Sequence, residues 1–356
     1  MIAICLLCLA VVVAWLEYKW AEWGMEQLSC GAAYEEVLVE PGQEFEQEVW
    51  VDNEGRLPLL YVELQEYLPK EAVVRESEAW LQRYSEISMN ARNLLWHTYL
   101  MPHTRFGAKV HLAFEKRGAY TLGRFCLQTG DFIGFRTLAR MKSQSQTVVV
   151  MPARCSSPVL LKTLGGFLGD ISVRRFMIED PILITGFRDY TGREPMKSIS
   201  WTQTAKANRM QVRQYDHTAE ANVAVLLNLE NSTGEEAEQC FEIARTVAEE
   251  LEKKRIPYEF LANCDFQSRM GQAHLVAEGL GAAHLQSILY ALGRSQGLLA
   301  FRFEKLVDRC VKDKRPNRSY ILISPPLGEA QRSELLRLQK HSDYEICTLY
   351  AEGGAG

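Results

Sequence analysis

The chain opens on an apolar segment. Residues 1–16 are apolar throughout, and as a helix they would span roughly 24 Å at about 1.5 Å per residue. A group of aromatic residues, typical of the headgroup layer of a bilayer, lies at the end of this run: Trp15, Tyr18, Trp20 and Trp23. The pattern predicts a single transmembrane helix over residues 1–23, with the lipid bilayer as a partner. A cleaved signal peptide and a buried helix are the alternatives.

Short segments with alternating apolar and polar residues follow over residues 34–152. Phe45–Val51, Leu59–Leu64 and Lys109–Phe114 have this pattern, and turn residues separate them. Regularly spaced short strands of this kind predict a β-sandwich-like domain. The acidic residues at alternate positions of these strands are expected on a solvated sheet face.

A different pattern covers residues 221–352. Val223–Leu227 is a continuous apolar run, typical of a buried strand, and Ala237–Leu251 repeats apolar residues at three and four positions. Strand and helix patterns continue to alternate after this point, which indicates an α/β domain with a mostly parallel sheet. The predicted fold class is therefore α+β and multidomain: an N-terminal transmembrane helix, a β-sandwich-like domain and an α/β domain.

The segment between these domains, residues 153–220, carries basic and aromatic side chains close together. We single out six of them as candidates for docking a partner: Arg188, Tyr190, Arg193, Lys197, Trp201 and Lys206. Arg, Tyr and Trp are enriched where binding energy concentrates in protein interfaces. The alternative interpretation is structural, with Arg188 paired to an acidic residue across the domain junction and Trp201 in a core. Anionic headgroups and phosphate or nucleic acid are further ligands for such a patch.

Charge and cysteine content limit the classes of binding partner and the cellular compartment. The formal net charge is -5, which argues against nucleic acid as a partner because such binding depends on neutralising phosphates. The charge is uneven, with 17 acidic and 6 basic residues over 17–101 but 10 basic and 5 acidic residues over 154–215. Nine scattered cysteines indicate a reduced compartment. We therefore expect a single-pass protein of the cell membrane with its soluble part in the cytosol.

The central segment also carries a specific motif. Its matching positions fit the pattern G-x-R-x-Y-x-x-G-D-x-x-R-x-I-x-W-x-x-x-A-R and are Gly186, Arg188, Tyr190, Gly192, Ile199, Trp201 and Ala205. The chain thereby resembles the bacterial domain-of-unknown-function family numbered fifty-eight. A Gly-Asp turn at 130–134 and the strand at 148–152 are also similar to segments of this family. The resemblance implies a membrane-anchored protein with a C-terminal von Willebrand factor A-like domain, often encoded beside MoxR-type AAA+ ATPases.

The resemblance also implies where a metal would bind. Von Willebrand factor A domains that bind Mg²⁺ place D-x-S-x-S after the first strand, and this chain has Asn228, Glu230 and Ser232 at those positions. With one carboxylate left, we expect a degenerate site and no metal or other cofactor. Asp131, in the Gly-Asp turn, is explained by turn chemistry. No nucleophile motif, phosphate loop or zinc-ligand spacing is present in the sequence, and no catalytic residue is predicted.

These observations predict a membrane-anchored, non-enzymatic interaction or adaptor protein, acting as an assembly or chaperone-system partner of a MoxR-type AAA+ ATPase. The ATPase follows from the resemblance alone. The alternatives from other classes are an extracytoplasmic adhesion-type module and an uncharacterised hydrolase.

Overall fold

The chain has a mixed α/β structure and divides into two compact units, residues 1–153 and 154–356. A computed structural model describes residues 2–34, 38–77, 82–88, 91–131, 136–177, 180–192, 194–216, 222–267, 273–313, 315 and 318–351. Arg193 and residues 132–135 of the Gly-Asp turn lie outside these ranges.

The N-terminal helix, α1, spans Ile2–Gln27. Within the described residues, no helix is both long and apolar enough to cross a membrane. The predicted single-pass anchor over residues 1–23, and the cell-membrane localisation derived from it, are therefore wrong. The second half of the helix carries charged residues and packs on the rest of the first unit. There Ala21 is fully buried, and Trp20 Nε1 donates a hydrogen bond to the carbonyl oxygen of Pro58 at 3.2 Å.

The rest of the first unit consists of two sheets. The described strands are β1 (Leu28–Tyr34), β2 (Leu38–Val39), β3 (Phe45–Asn53), β4 (Leu59–Pro69), β5 (Ala72–Ser77), β6 (Gln82–Ser88), β7 (Ala91–Leu100), β8 (Arg105–Phe114), β9 (Gly118–Gly130) and β10 (Thr137–Val150). One sheet has the order β1-β3-β8-β5 and the other β2-β10-β9-β4-β7-β6. Apolar residues of both sheets form one core, so the predicted β-sandwich is confirmed.

Strand β3 shows how the alternation builds this sandwich. Phe45, Val49 and Val51 point into the core, while Glu46 and Glu48 between them are exposed. The exposed carboxylates face basic residues on the neighbouring strand β8, where Lys109 Nζ lies 2.7 Å from Glu46 Oε1. The period of two therefore sets which face of the strand is buried.

A polar pair interrupts the apolar core between the sheets. Gln47 Nε2, from β3, donates a hydrogen bond to Glu66 Oε1, from β4, at 2.8 Å. The backbone N–H of Gly123 donates to the same oxygen at 3.4 Å, while Glu66 Oε2 makes no hydrogen bond to another described residue. Burial raises the pKa of Glu66 to about 7. Glycine is required at 123 because φ is +85° and a Cβ would lie 2.3 Å from the carbonyl oxygen of Gln144.

The second unit combines a hairpin with an α/β domain. Its described helices are α2 (Pro158–Met177), α3 (Trp201–Ala207), α4 (Gly234–Lys253), α5 (Ala282–Arg294), α6 (Phe303–Lys312) and α7 (Glu329–His341). Its described strands are β11 (Asp180–Asp189), β12 (Gln211–Asp216), β13 (Asn222–Leu227), β14 (Tyr258–Ala262), β15 (Leu275–Gly279), β16 (Arg318–Ser324) and β17 (Cys347–Tyr350).

The five-stranded sheet of this unit has the order β15-β14-β13-β16-β17. Its strands are parallel except for β15, which pairs antiparallel with β14. Counted along the chain, the order is 3-2-1-4-5, and it reverses at the first strand. In open α/β sheets, ligands bind beyond the carboxyl ends of the strands at such a reversal.

Two apolar layers cover this sheet. Helices α2, α4 and α5 pack on one face, and α6 and α7 pack on the other. Helix α4 begins at a capping box, in which Thr233 Oγ1 accepts from the backbone N–H of Glu236 and the Glu236 carboxylate accepts from that of Thr233. The mostly parallel α/β arrangement predicted for this region is therefore confirmed at the level of a mixed α/β fold.

Candidate functional site

The predicted docking residues lie on and beside a two-stranded hairpin. Strands β11 and β12 pair antiparallel, with Arg188 opposite Val212. A 3₁₀ turn, Met196–Ser198, and helix α3 connect them, and Ile199 bridges back to Val212. Both Ile199 and Val212 are buried, and the backbone N–H of Ser200 donates to the carbonyl oxygen of Gln211 at 2.8 Å, so the connecting segment pairs with the edge of β12 opposite β11. We call the exposed side chains of this region the hairpin surface: Phe187, Arg188, Met196, Lys197, Trp201, Lys206, Met210 and Arg213.

Arg188 forms an ion pair within its own loop. Its Nη1 donates to Glu194 Oε1 at 2.6 Å, and Thr191 donates to the same carboxylate from Oγ1 at 2.7 Å and from the backbone N–H at 3.1 Å. The Thr191 hydroxyl, then its N–H and the Arg188 guanidinium, lower the pKa of Glu194 to about 2. The partner of Arg188 is thus six residues away, and this pair orients the guanidinium at the surface.

Trp201 is exposed, which differs from the core position that the structural interpretation requires. Its side chain is 62% exposed, and that of Met196 is 65% exposed. Tyr190, in contrast, is half-buried, and its backbone N–H donates to the carbonyl oxygen of Met210 at 2.9 Å. The motif therefore divides into residues that hold the hairpin together and residues that face outward.

The outward-facing charges are mostly basic. Between 186 and 213 the sequence has six basic and two acidic residues, and both acidic side chains lie within 4 Å of an arginine. Lys197, Lys206 and Arg213 are exposed and make no side-chain hydrogen bond or ion pair to another residue that the structure describes. The prediction for Arg193 is untested, because this residue lies outside the described residues.

Replacing Thr191 with valine is expected to raise the pKa of Glu194 toward its ordinary value near 4.5. The hydroxyl is the largest contributor to the low pKa, and valine preserves the shape while removing it. The measurement is an NMR pH titration of the Glu194 carboxyl carbon in the full chain. Thr202→Val, an exposed change in α3, is the control; an unchanged titration in Thr191→Val would contradict the assigned cause.

The positions of the expected degenerate metal site all follow β13, at a point where the carboxyl ends of β14 and β16 lie on either side. Asn228 follows β13 and is fully buried. Its Nδ2 donates to Ser324 Oγ at 2.9 Å, and its Oδ1 accepts from Asn263 Nδ2 at 2.7 Å and from the backbone N–H of Glu230 at 3.1 Å. Asn263 Oδ1 in turn accepts from the backbone N–H of Leu229 at 2.9 Å. Neutral groups thus satisfy one another at the reversal of the sheet.

Glu230 and Ser232 are also used within the protein. Glu230 Oε2 accepts from the backbone N–H of Phe303 at 2.8 Å and so caps the start of α6. Ser232 Oγ donates to the carbonyl oxygen of Leu229 at 2.8 Å, and it is Thr233 that caps α4. Within the described part of the chain, no group of three His, Cys, Asp or Glu side chains is arranged to hold a metal ion.

Asn263 and Ser324 complete this network, and our sequence reasoning did not single out Asn263. Each is a polar residue at the end of an apolar strand, as Asn228 is. Because carboxyl ends of parallel strands meet at one edge, aligning the strand ends in the sequence would have brought all three together.

Comparison with known proteins finds only distant structural similarity. No protein-family model matches the chain, and no curated protein matches it. A cohesin module of a family 33 glycoside hydrolase from Clostridium perfringens is similar, with 13% identity and a TM-score of 0.27 over 34% of this chain and 96% of that one. The bacterial hydrophobin BslA (15% identity, TM-score 0.23, 35% and 95% coverage) is another neighbour. A third neighbour is a non-cellulosomal cohesin from Archaeoglobus fulgidus, with 12% identity and a TM-score of 0.23 over 35% of this chain and 84% of that one.

Such low identities and TM-scores carry no argument about function. The class that the structure itself defines is a mixed α/β chain with a β-sandwich unit and a second unit that joins an α/β domain to an exposed basic hairpin.

Proposed function

We propose that this chain is a non-enzymatic interaction protein that docks an acidic protein partner through the hairpin surface. The observation that carries the proposal is the exposure of Trp201 among cations that the described residues leave unpaired. A tryptophan with most of its surface in water gains hydrophobic free energy when a partner covers it. The surrounding lysines and arginines select for carboxylates and accelerate encounter with an acidic surface.

We also infer that the α/β domain is von Willebrand factor A-like and that the chain is related to the domain-of-unknown-function family numbered fifty-eight. The motif residues Arg188, Tyr190 and Trp201 support this relation, as does an interaction network at the end of β13 in place of a metal site. On this inference, a MoxR-type AAA+ ATPase is the partner to test first.

Trp201→Ala is expected to weaken binding to a purified MoxR-type ATPase by about 30-fold, because a central tryptophan contributes about 2 kcal/mol or more at an interface. Lys197→Glu is expected to weaken it as well, and added salt is expected to weaken wild-type binding through screening. The measurement is biolayer interferometry with the full chain. Neither change should shift the melting temperature appreciably, because both side chains are exposed.

Leu336→Ala and Lys340→Glu, two exposed positions on α7, are matched controls of the same chemical types. Equal binding by the hairpin variants and the controls would reject the hairpin surface as the docking site. A large fall in melting temperature for Trp201→Ala would support a structural role instead. No binding by wild type would reject the ATPase as the partner.

A further inference from the structure

A cavity of about 420 Å³ opens beside the edge of the five-stranded sheet. It lies on the face covered by α6, and strands β14, β15 and β16 and the C-terminal half of α6 line it. This volume is within the range of pockets that bind small organic ligands, roughly 300–1,000 Å³. The cavity is separate from the hairpin surface in sequence and in the side chains that form it.

Part of the cavity lining is apolar. Leu261, Leu275, Ala277 and Cys310 contribute it. Burial raises the pKa of Cys310 to about 12, so the thiol stays neutral and contributes as an apolar group. This part of the lining would favour a ligand with a hydrocarbon group.

The carboxylates of the cavity are already paired with arginines. Arg315 lies 3.0 Å from Glu278 through Nη1 and 3.2 Å from Asp313 through Nη2. Arg318 lies 3.3 Å from the same Asp313 and also pairs with Glu259. Each of the three carboxylates therefore contacts one of these two arginines in a single network.

A third arginine of the cavity has no partner among the described residues. Arg309 lines the cavity from α6, and its guanidinium makes no hydrogen bond or ion pair to another residue that the structure describes. It brings the count of arginines to three, equal to the count of carboxylates. Because Arg309 takes part in none of the four existing arginine–carboxylate contacts, an anion can bind it without displacing any of them.

The buried side chain of Arg318 is a second reason to expect an anion. Its side chain is 1% exposed, and its Nε makes no hydrogen bond to any described residue. A buried donor without an acceptor costs free energy, typically about 1–3 kcal/mol, and a ligand oxygen that reaches it would remove this cost. Guanidinium groups match carboxylates in geometry, because two parallel N–H groups meet two oxygens.

We propose that this cavity binds a carboxylate that carries an apolar group. The hydrocarbon part lies on Leu261, Leu275 and Ala277, and the carboxylate binds Arg309 and the free donor of Arg318. A free carboxylic acid and the C-terminal end of an apolar peptide share this chemistry.

Calorimetry on the full chain tests the proposal with two acids, each paired with its amide. The probes are hexanoate with hexanamide, and a short peptide ending in leucine with its C-terminal amide. We expect millimolar or tighter binding by an acid and none by its amide. Hexanoate alone would identify a free acid as the source, whereas the peptide alone would identify a chain end. Failure of both acids to bind, or equal binding of acids and amides, would overturn the proposal.

Two variants tie the binding to the named side chains. Arg309→Gln is expected to weaken binding at least about tenfold, whereas Arg302→Gln, an exposed arginine just before α6, should leave it unchanged. The double variant Arg318→Met with Glu259→Met replaces the buried ion pair with apolar groups, which proteins often tolerate. A folded double variant that binds as tightly as wild type would exclude Arg318 from the site. Neither variant changes a residue of the hairpin surface. Binding of the ATPase therefore tests the proposed function separately from binding of the acid to the cavity.

Discussion

Replacing Glu66 with glutamine is expected to raise the free energy of unfolding of the first unit by about 3 kcal/mol at pH 8. The folded protein raises the pKa of this carboxyl from 4.5 to about 7, and each pKa unit corresponds to about 1.4 kcal/mol. Above pH 7 the folded state therefore holds a buried charge that the unfolded chain exposes to water. Glutamine keeps the acceptor for Gln47 and the Gly123 N–H without that charge.

The sign of the pH dependence follows from the direction of the shift. Between about pH 4.5 and 7 the folded state binds a proton at Glu66 that the unfolded state has lost. The contribution of this group to stability is therefore fully present below pH 4.5 and is lost as the pH rises through 7. The stability difference between Glu66→Gln and wild type is expected to grow across that window and to stay constant above it.

Differential scanning calorimetry of the full chain at several pH values measures this difference, following the transition of the first unit. Glu48→Gln is the matched control, since Glu48 lies on the exposed face of the facing sheet. If the difference in free energy of unfolding between Glu66→Gln and wild type did not change with pH, the folded state would ionise Glu66 without a penalty, contrary to the prediction.

Asn228→Asp has the second large expected effect, a loss of about 3 kcal/mol in the free energy of unfolding of the second unit at pH 7. The substitution keeps the shape of the side chain but places a carboxylate at a fully buried position. The structure supplies only neutral partners there, from Asn263, Ser324 and the Glu230 backbone. A buried charge without a counter-charge typically costs several kcal/mol.

The same variant introduces a carboxylate at the first position of the expected degenerate metal site, so it also tests for metal binding there. Millimolar Mg²⁺ is not expected to recover the lost stability, because the side chains of Glu230 and Ser232 are already engaged with Phe303 and Leu229. Thermal unfolding with and without Mg²⁺ measures both effects. Asn231→Asp is the control, since Asn231 is exposed in the same loop with a φ of 64°. Recovery of Asn228→Asp by Mg²⁺ alone would show that the loop retains metal-binding geometry.

Periodicity predicted most of the regular structure. The alternation over Phe45–Val51 and the apolar run Val223–Leu227 correspond to β3 and β13, because burial on one or both faces leaves a direct mark on a strand's sequence. The amphipathic spacing after Ala237 likewise corresponds to α4. Helix α2 was not predicted, because three glycines interrupt its apolar spacing.

Side-chain partners were the part that the sequence could not provide. The motif indicated that Arg188 and Trp201 belong together, but whether they face a core or water depends on what packs against α3. The apolar start of the chain predicted a membrane span. The pattern did not show that the later part of α1 is used for packing on protein, with Ala21 buried against it. The cavity around Arg318 joins four elements that are distant in sequence, so no local pattern indicated it.

The polar pair in the sandwich core also fixes the alignment of its strands. Gln47 lies between two exposed glutamates, Glu46 and Glu48, on β3. A slip of β3 by one residue would turn a glutamate inward, toward Glu66, and would remove the amide that now donates to it. The misaligned sheet would thus bury two carboxylates side by side, so the protein discriminates against that folding error through charge repulsion.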